Sequence, residues 1–160
     1  NAEEKYLSLP PSKNYVVKKN IKLISFFKNS VEPKNILPKK NDKRFQKFRN
    51  LMVENQLRPN KITDPRILSI FNEIKKEQFL NNDLQSIAYS DVDLNLTGNR
   101  GYLKNLHIAQ LIQHSNITKK DKVLHIGGLT GYVTSILSQL SDYLVVIEND
   151  QGLLKQLKEQ

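Results

Sequence analysis

The sequence predicts an α/β fold in which residues 122–127 and 143–148 are adjacent parallel strands and residues 131–141 are the helix that crosses between them. Both strand segments hold short apolar runs that stop at turn or polar residues, as buried parallel strands do. Between them, apolar residues recur at i, i+3, i+4 and i+7, which is one face of an amphipathic helix. This order of elements is typical of the first unit of a doubly wound, Rossmann-like fold.

The turn after the first strand is rich in glycine, and the second strand ends in a carboxylate. Gly127, Gly128 and Gly131 let the backbone approach a ligand, while the helix N-terminus offers N–H groups. Glu148 follows the turn at the spacing where a carboxylate accepts hydrogen bonds from ribose hydroxyls. The spacing of these glycines differs from the glycine spacing of a dinucleotide-binding fingerprint. With Tyr132 after it, the turn resembles the first motif of S-adenosylmethionine (SAM) methyltransferases.

Two positions depart from that motif, which normally has three alternating glycines and an acidic residue two places before the first. Leu129 stands at the middle glycine and His125 at the acid. We expect Leu129 to place a side chain where backbone should meet the cofactor, and His125 to remove a negative charge beside the sulfonium. Losing one such contact costs roughly 1.5–3 kcal/mol, so we expect weak SAM binding or none.

Charge divides the chain into two parts. Residues 1–51 hold 13 lysines and arginines against four acidic residues, a net charge of +9, whereas the remainder holds equal numbers of each sign. All six glycines lie after residue 97. We therefore divide the chain into a basic extended arm, residues 1–42, and a folded domain, residues 43–160.

The arm has four prolines and two apolar islands, Tyr15 to Val17 and Ile21 to Phe27, which could be strands or anchors on another surface. The chain begins at Asn1 rather than Met, which indicates processing or trimming; a basic, acid-poor leader is typical of an organellar targeting segment. The alternative is a solvated tail. We expect residues 1–51 to be held by RNA phosphates or neighbouring proteins rather than by the protein's own core.

Composition excludes several classes of site. The chain has no cysteine, so disulfides, thiolate metal sites and cysteine nucleophiles are excluded. The histidines, His107, His114 and His125, show no metal-ligand spacing, and we expect no metal site. No apolar run approaches the roughly 18 residues of a membrane span.

Helical patterns precede the first strand. Apolar periodicity predicts helices near 44–57, 64–76 and 103–115, separated by a loop and by a turn cluster at 97–101. Asp64 is the candidate N-cap of the second helix, with proline at its first position. A last helix, which carries three leucines, follows Glu148.

From Met52 to about Asp150 the chain resembles protein-L-isoaspartate O-methyltransferases, particularly their alphaproteobacterial relatives. The matching segments are 52–60, 62–68, 77–80, 88–91, 94–100 and 123–132, followed by Glu148. The resemblance implies a partial Rossmann-like SAM-methyltransferase fold with N-terminal helices. It also implies that SAM, if activity is retained, would be bound by Gly127, Gly128, Gly131, Tyr132 and Glu148.

The family's reaction methylates the carboxylate of isoaspartyl residues, and a serine in a Thr-Ile-Ser-Gln stretch serves that carboxylate. The position that matches the serine is Leu103, which has no hydroxyl, and among its neighbours Tyr102 carries one. We therefore assign no catalytic residue and expect no cofactor, unless activity is retained.

Two functional hypotheses remain. The first is a catalytically degenerate methyltransferase-like protein that serves as an accessory subunit of a larger assembly, a mitochondrial ribosome or a respiratory complex. The second is an active SAM-dependent O-methyltransferase seen as a fragment, because the family's fold continues beyond the strand that ends in Glu148. The sheet edge beyond that strand is expected to need cover from another chain. We expect a mitochondrial location, or otherwise a cytoplasmic one.

Overall fold

The computed structural model describes residues 15–19 and 42–159. The elements, numbered in chain order, are β1 (Tyr15–Lys19), α1 (Asp42–Met52), α2 (Pro65–Glu73), α3 (Asn82–Gln85), β2 (Leu94–Thr97), β3 (Arg100–Tyr102), α4 (Asn105–Ser115), β4 (Lys122–Ile126), α5 (Tyr132–Leu140), β5 (Tyr143–Ile147) and α6 (Gln151–Glu159). A π-helical turn, Val53–Leu57, and a 3₁₀ turn, Arg58–Asn60, extend α1. A second 3₁₀ turn spans Lys76–Phe79.

The predicted parallel unit is confirmed, but β4 lies at the edge of the sheet and is not buried as predicted, since Leu124 and Ile126 are 57% and 72% exposed. β4 and β5 pair in parallel with Val123 opposite Leu144 and His125 opposite Val146, and α5 connects them. α5 packs against β5 and against α2. Its buried residues include Ile136 and Leu140, the face that the sequence periodicity predicts.

The edge of β5 that the sequence leaves open is covered by this chain itself. β1 pairs antiparallel with β5, from Tyr15 opposite Ile147 to Lys19 opposite Tyr143, so the sheet order is β1–β5–β4. The expectation that residues 1–51 are held by partners rather than by the protein's own core is therefore wrong for β1. The island from Ile21 to Phe27 lies outside the described residues.

The same expectation is wrong for α1, which packs into the folded domain. Phe45 and Met52 are buried in the core, and Arg49 is almost completely enclosed. Arg49 Nη1 contacts Glu77 Oε1 at 2.9 Å, and its Nε donates to the carbonyl of Asn72 in α2 at 3.1 Å. The basic excess of the first 51 residues is thus used partly inside the protein.

The predicted start of α2 is confirmed, because the Asp64 side chain accepts from the amide of Arg66 at 2.9 Å and Pro65 opens the helix. Residues 94–102 differ from the predicted loop and turn. Two short strands pair antiparallel there, with Leu94 opposite Tyr102 and Gly98 in the turn at a φ of 54°. None of the helices in the described ranges has the length and apolar character that a membrane crossing requires.

Candidate functional site

The glycine-rich turn lies over the carboxyl ends of β4 and β5. The amides of Gly127 and Gly128 both donate to the carbonyl of Ile147, at 2.7 and 3.2 Å. Gly127 and Gly131 have φ values of 81° and 102°, which glycine adopts without the steric cost of a Cβ. Open α/β sheets bind their ligands at this end of the strands, so the turn marks the candidate site.

The three glycines are needed for different reasons. A Cβ at Gly128 would lie 2.7 Å from Val146 Cγ1 and 2.9 Å from Leu157 Cδ2. A Cβ at Gly131 would lie 3.0 Å from Leu157 Cδ1. Packing of α6 against the turn therefore favours glycine at both positions whether or not a ligand binds. Gly127 differs in that a Cβ there would meet no clash, because the nearest atom, Arg100 Nη2, would lie 3.7 Å away.

Glu148 ends β5 and is surrounded by donors. Its Oε1 accepts from Arg100 Nη1 at 2.7 Å and from the amide of Asp150 at 2.8 Å. Its Oε2 accepts from Arg100 Nη2 at 2.8 Å and from the amide of Leu129 at 2.8 Å. Burial alone would raise the pKa of Glu148, but Arg100 and the two amides outweigh it and lower that pKa. A carboxylate has about four lone-pair positions, so these four contacts saturate it.

Leu129 and His125 have roles that the sequence motif does not predict. Leu129 has a left-handed backbone, with a φ of 51°, and its side chain packs against the hydrophobic core. His125 Nδ1 lies 3.1 Å from Thr134 Oγ1, so the imidazole contacts the first turn of α5. Burial lowers the pKa of His125, and the charge of Glu148 opposes that shift. Burial therefore favours the neutral form of this imidazole.

Tyr132 is a core residue rather than a lining residue. Its side chain is fully buried, and its ring meets Phe71 and Tyr102 edge-on at centroid distances of 6.3 and 5.7 Å. Burial raises the pKa of Tyr132 well above its ordinary value. The structure thus brings Gly127 and Glu148 together at the carboxyl ends of the strands and turns the Tyr132 ring into the interior.

The segment that matches the family's serine stretch offers no hydroxyl to solvent. Leu103 is 44% exposed and apolar. The Tyr102 ring is buried, and its hydroxyl shares a 2.8 Å hydrogen bond with Thr130 Oγ1 and accepts from the Tyr132 amide at 3.0 Å. Burial also raises the pKa of Tyr102. The hydroxyl nearest to the serine position is therefore committed to the core.

A shallow pocket lies beside the turn, between its Thr130 end and the start of α6. Its volume is about 140 Å³, and its lining includes Phe79, Leu96, Thr97, Thr130, Asp150 and Leu153. Pockets that enclose a cofactor-sized molecule occupy roughly 300–1,000 Å³, so this one is too small in the present arrangement. Across 15–19 and 42–159, no three histidine, aspartate or glutamate side chains group as metal ligands.

The sequence does not predict the surroundings of two basic side chains, Arg100 and Lys76. Arg100 lies in the predicted turn cluster, and no local pattern pairs it with an acid 48 residues later. Lys76 is almost completely buried, where Nζ donates to Asn105 Oδ1 at 2.7 Å and lies 5.2 Å from the Tyr132 ring centroid. Burial lowers the pKa of Lys76 to about 7, against the opposing charge of Asp93.

Stability is expected to rise with pH between about 7 and 10.5, the folded and ordinary pKa values of Lys76. In that window the unfolded chain keeps the lysine proton that the folded chain has lost, so the contribution reaches at most about 1.4 kcal/mol per pH unit. Urea denaturation from pH 6.5 to 9.5 measures it. Lys76→Met should flatten the slope, while Lys120→Met, at an exposed lysine, should leave it. Equal slopes in all three proteins would contradict the assignment.

Much of the chain is similar to known proteins. A family model described as protein-L-isoaspartate(D-aspartate) O-methyltransferase matches residues 47–160. The chain is 34% identical over 97 residues to the protein-L-isoaspartate O-methyltransferase of Protochlamydia amoebophila, covering 61% of this chain and 46% of that protein. It is 33% identical over 105 residues to that of Herpetosiphon aurantiacus, covering 66% and 47%. The chain spans about half the length of these curated relatives.

Solved structures share the fold. One protein-L-isoaspartate O-methyltransferase structure superposes with a TM-score of 0.59 at 24% identity, over 69% of this chain and 37% of that one. A Plasmodium falciparum protein described as the same kind of enzyme, solved with S-adenosyl-L-homocysteine, gives 0.57 at 15% identity over 68% and 52%. Both support the predicted α/β, Rossmann-like methyltransferase fold.

Proposed function

Because the chain belongs to the protein-L-isoaspartate O-methyltransferase family, we propose that it is a catalytically degenerate member of that family and serves as an accessory subunit of a larger assembly. The proposed loss of catalysis is supported by one observation, the lack of a free hydroxyl at the position that matches the family's serine. Leu103 presents an apolar side chain there, and the neighbouring Tyr102 hydroxyl is bonded to Thr130 within the core. The stretch therefore presents no free hydroxyl to a reacting carboxylate.

The alternative is an active SAM-dependent O-methyltransferase of isoaspartyl residues. The retained turn favours it, since Gly127 and Glu148 still meet at the carboxyl ends of the parallel strands. In that case SAM would be the methyl donor and would lie against the turn, with Gly128, Gly131 and Tyr132 shaping it from behind. In the degenerate protein no cofactor is required.

The partners belong to the same proposal. They are other protein subunits, and RNA in contact with basic residues of the segment 1–51 other than Arg49, whose side chain is buried against Glu77; the net charge of the segment is +9. Lysines and arginines that neutralise phosphates release counterions, so this attachment would weaken as salt rises. A mitochondrial location suits a basic, acid-poor leader, with the cytoplasm as the alternative.

The full chain is expected to transfer no methyl group from SAM to an isoaspartyl peptide. Release of labelled methanol from the methyl ester measures the transfer, and the Protochlamydia amoebophila relative provides the positive control. Turnover above the background without protein would favour the active enzyme instead.

Affinity purification of the tagged chain from its native source at low and moderate salt tests the partner role. Recovery as a free monomer at both salt concentrations would contradict that role.

A further inference from the structure

We propose that Arg100 closes the ribose end of the cofactor site, so that this chain accepts an adenosyl ligand only when Arg100 releases Glu148. The inference rests on the proposed function only for the identity of the site as the family's cofactor site. It names the side chain that controls access to that site. Leu129 and His125, the two departures visible in sequence, matter less for access than Arg100.

The first support is the state of the carboxylate. Both oxygens of Glu148 are held by the planar guanidinium of Arg100, and each also accepts from one backbone amide. Bidentate pairs of this kind are stronger than single hydrogen bonds between neutral groups. No acceptor position is left for a ribose hydroxyl unless the guanidinium leaves.

The second support is the position of the same guanidinium over the turn. Its Nη2 lies 3.7 Å from the position that a Cβ on Gly127 would occupy. Unlike Gly128 and Gly131, Gly127 has no core side chain against that position. A ligand that approaches the Gly127 backbone would meet Arg100 there. The Arg100 side chain thus covers both groups that would contact a nucleoside, the Glu148 carboxylate and the Gly127 backbone.

The third support is that the Arg100 side chain is free to move away from Glu148. The Arg100 side chain is 35% exposed, whereas that of Glu148 is fully buried. Arg100 stands at the start of β3, and among the described residues its side chain donates one further hydrogen bond, to Asn149 Oδ1 at 3.3 Å. The guanidinium can swing into solvent without any change in the core, while the carboxylate stays in place.

Charge decides which ligand is the better probe. The guanidinium disfavours the cationic sulfonium of SAM, whereas the demethylated product S-adenosyl-L-homocysteine carries no sulfonium. Binding of that product to the full chain therefore reports on closure of the ribose end with the least interference. Isothermal titration calorimetry measures it without any dependence on turnover.

Arg100→Gln should raise the affinity for S-adenosyl-L-homocysteine by at least about tenfold over the unsubstituted chain. Glutamine can donate one hydrogen bond to Glu148 and frees the second acceptor position that Arg100 held, while the two backbone amides keep theirs. Arg58→Gln is the matched control, since it makes the same charge change in an exposed pair with Glu54 at 2.9 Å. That control should leave the affinity unchanged.

Several outcomes would overturn the closure. One is a folded Arg100→Gln protein, judged by circular dichroism, whose affinity equals that of the unsubstituted chain. Another is a gain of the same size in Arg58→Gln. If Arg100→Gln does not fold, Arg100→Lys replaces it, because a lysine makes a single-point contact; absence of any gain there overturns the proposal as well. Methyl transfer by the unsubstituted chain would refute the proposed function alone, provided that Arg100→Gln still binds more tightly.

Discussion

Arg49→Met is expected to lower the free energy of unfolding by about 3–5 kcal/mol, because it leaves a buried carboxylate without its cation. Arg49 Nη1 donates to Glu77 Oε1 at 2.9 Å and to the Tyr89 hydroxyl at 3.3 Å, and that hydroxyl donates to Glu77 Oε2. The Tyr89 hydroxyl also accepts from the amide of Lys76 at 2.9 Å. The network joins α1, the 3₁₀ turn after α2 and the loop after α3.

Urea denaturation of the full chain measures the loss. Arg58→Met, in the exposed pair with Glu54, should change stability by less than about 1 kcal/mol. Adding Glu77→Gln to Arg49→Met should recover part of the loss, since the buried negative charge is then removed while an acceptor for Tyr89 remains. An Arg49→Met protein as stable as Arg58→Met would show that the network contributes nothing.

Gly101→Ala is expected to cost at least about 3 kcal/mol, more than ordinary overpacking of a core, because its clash is with backbone. The added Cβ would lie 1.8 Å from the carbonyl oxygen of Leu94, the opposite strand of the β2–β3 hairpin. Neither strand can yield without opening the hairpin. Opening it would also displace Arg100 from Glu148.

Gly98→Ala is the control for backbone conformation without a clash. Gly98 has a φ of 54° and no atom within 4 Å of its Cβ position, so alanine there should cost only about 1–2 kcal/mol. Thermal and urea unfolding of both variants provide the comparison. A Gly101→Ala protein no less stable than Gly98→Ala would mean that the hairpin is not closed as described.

The sequence by itself determined the parallel unit and the residues at its end. Apolar runs at 123–126 and 143–147 predict buried strands, and the 3.6-residue periodicity between them predicts α5. These signals are local, so they survive without knowledge of contacts. The same holds for Asp64 and Pro65 at the start of α2, where the cap is made within two residues.

The tertiary structure alone decided what surrounds those residues. Arg100 and Glu148 are 48 residues apart, and Arg49 and Glu77 are 28 apart, so no periodicity connects them. β1 covers the edge of β5 across more than 120 residues of sequence, a pairing that no local pattern encodes.

The glycines show the same division. Their spacing identifies the turn, but only the packed helix α6 reveals that Gly128 and Gly131 make room for Leu157 while Gly127 faces Arg100. Backbone freedom is a local property that sequence spacing can report. Which side chain fills the space beside a missing Cβ depends on how distant segments pack, and that is why the closure of the site by Arg100 appears only in three dimensions.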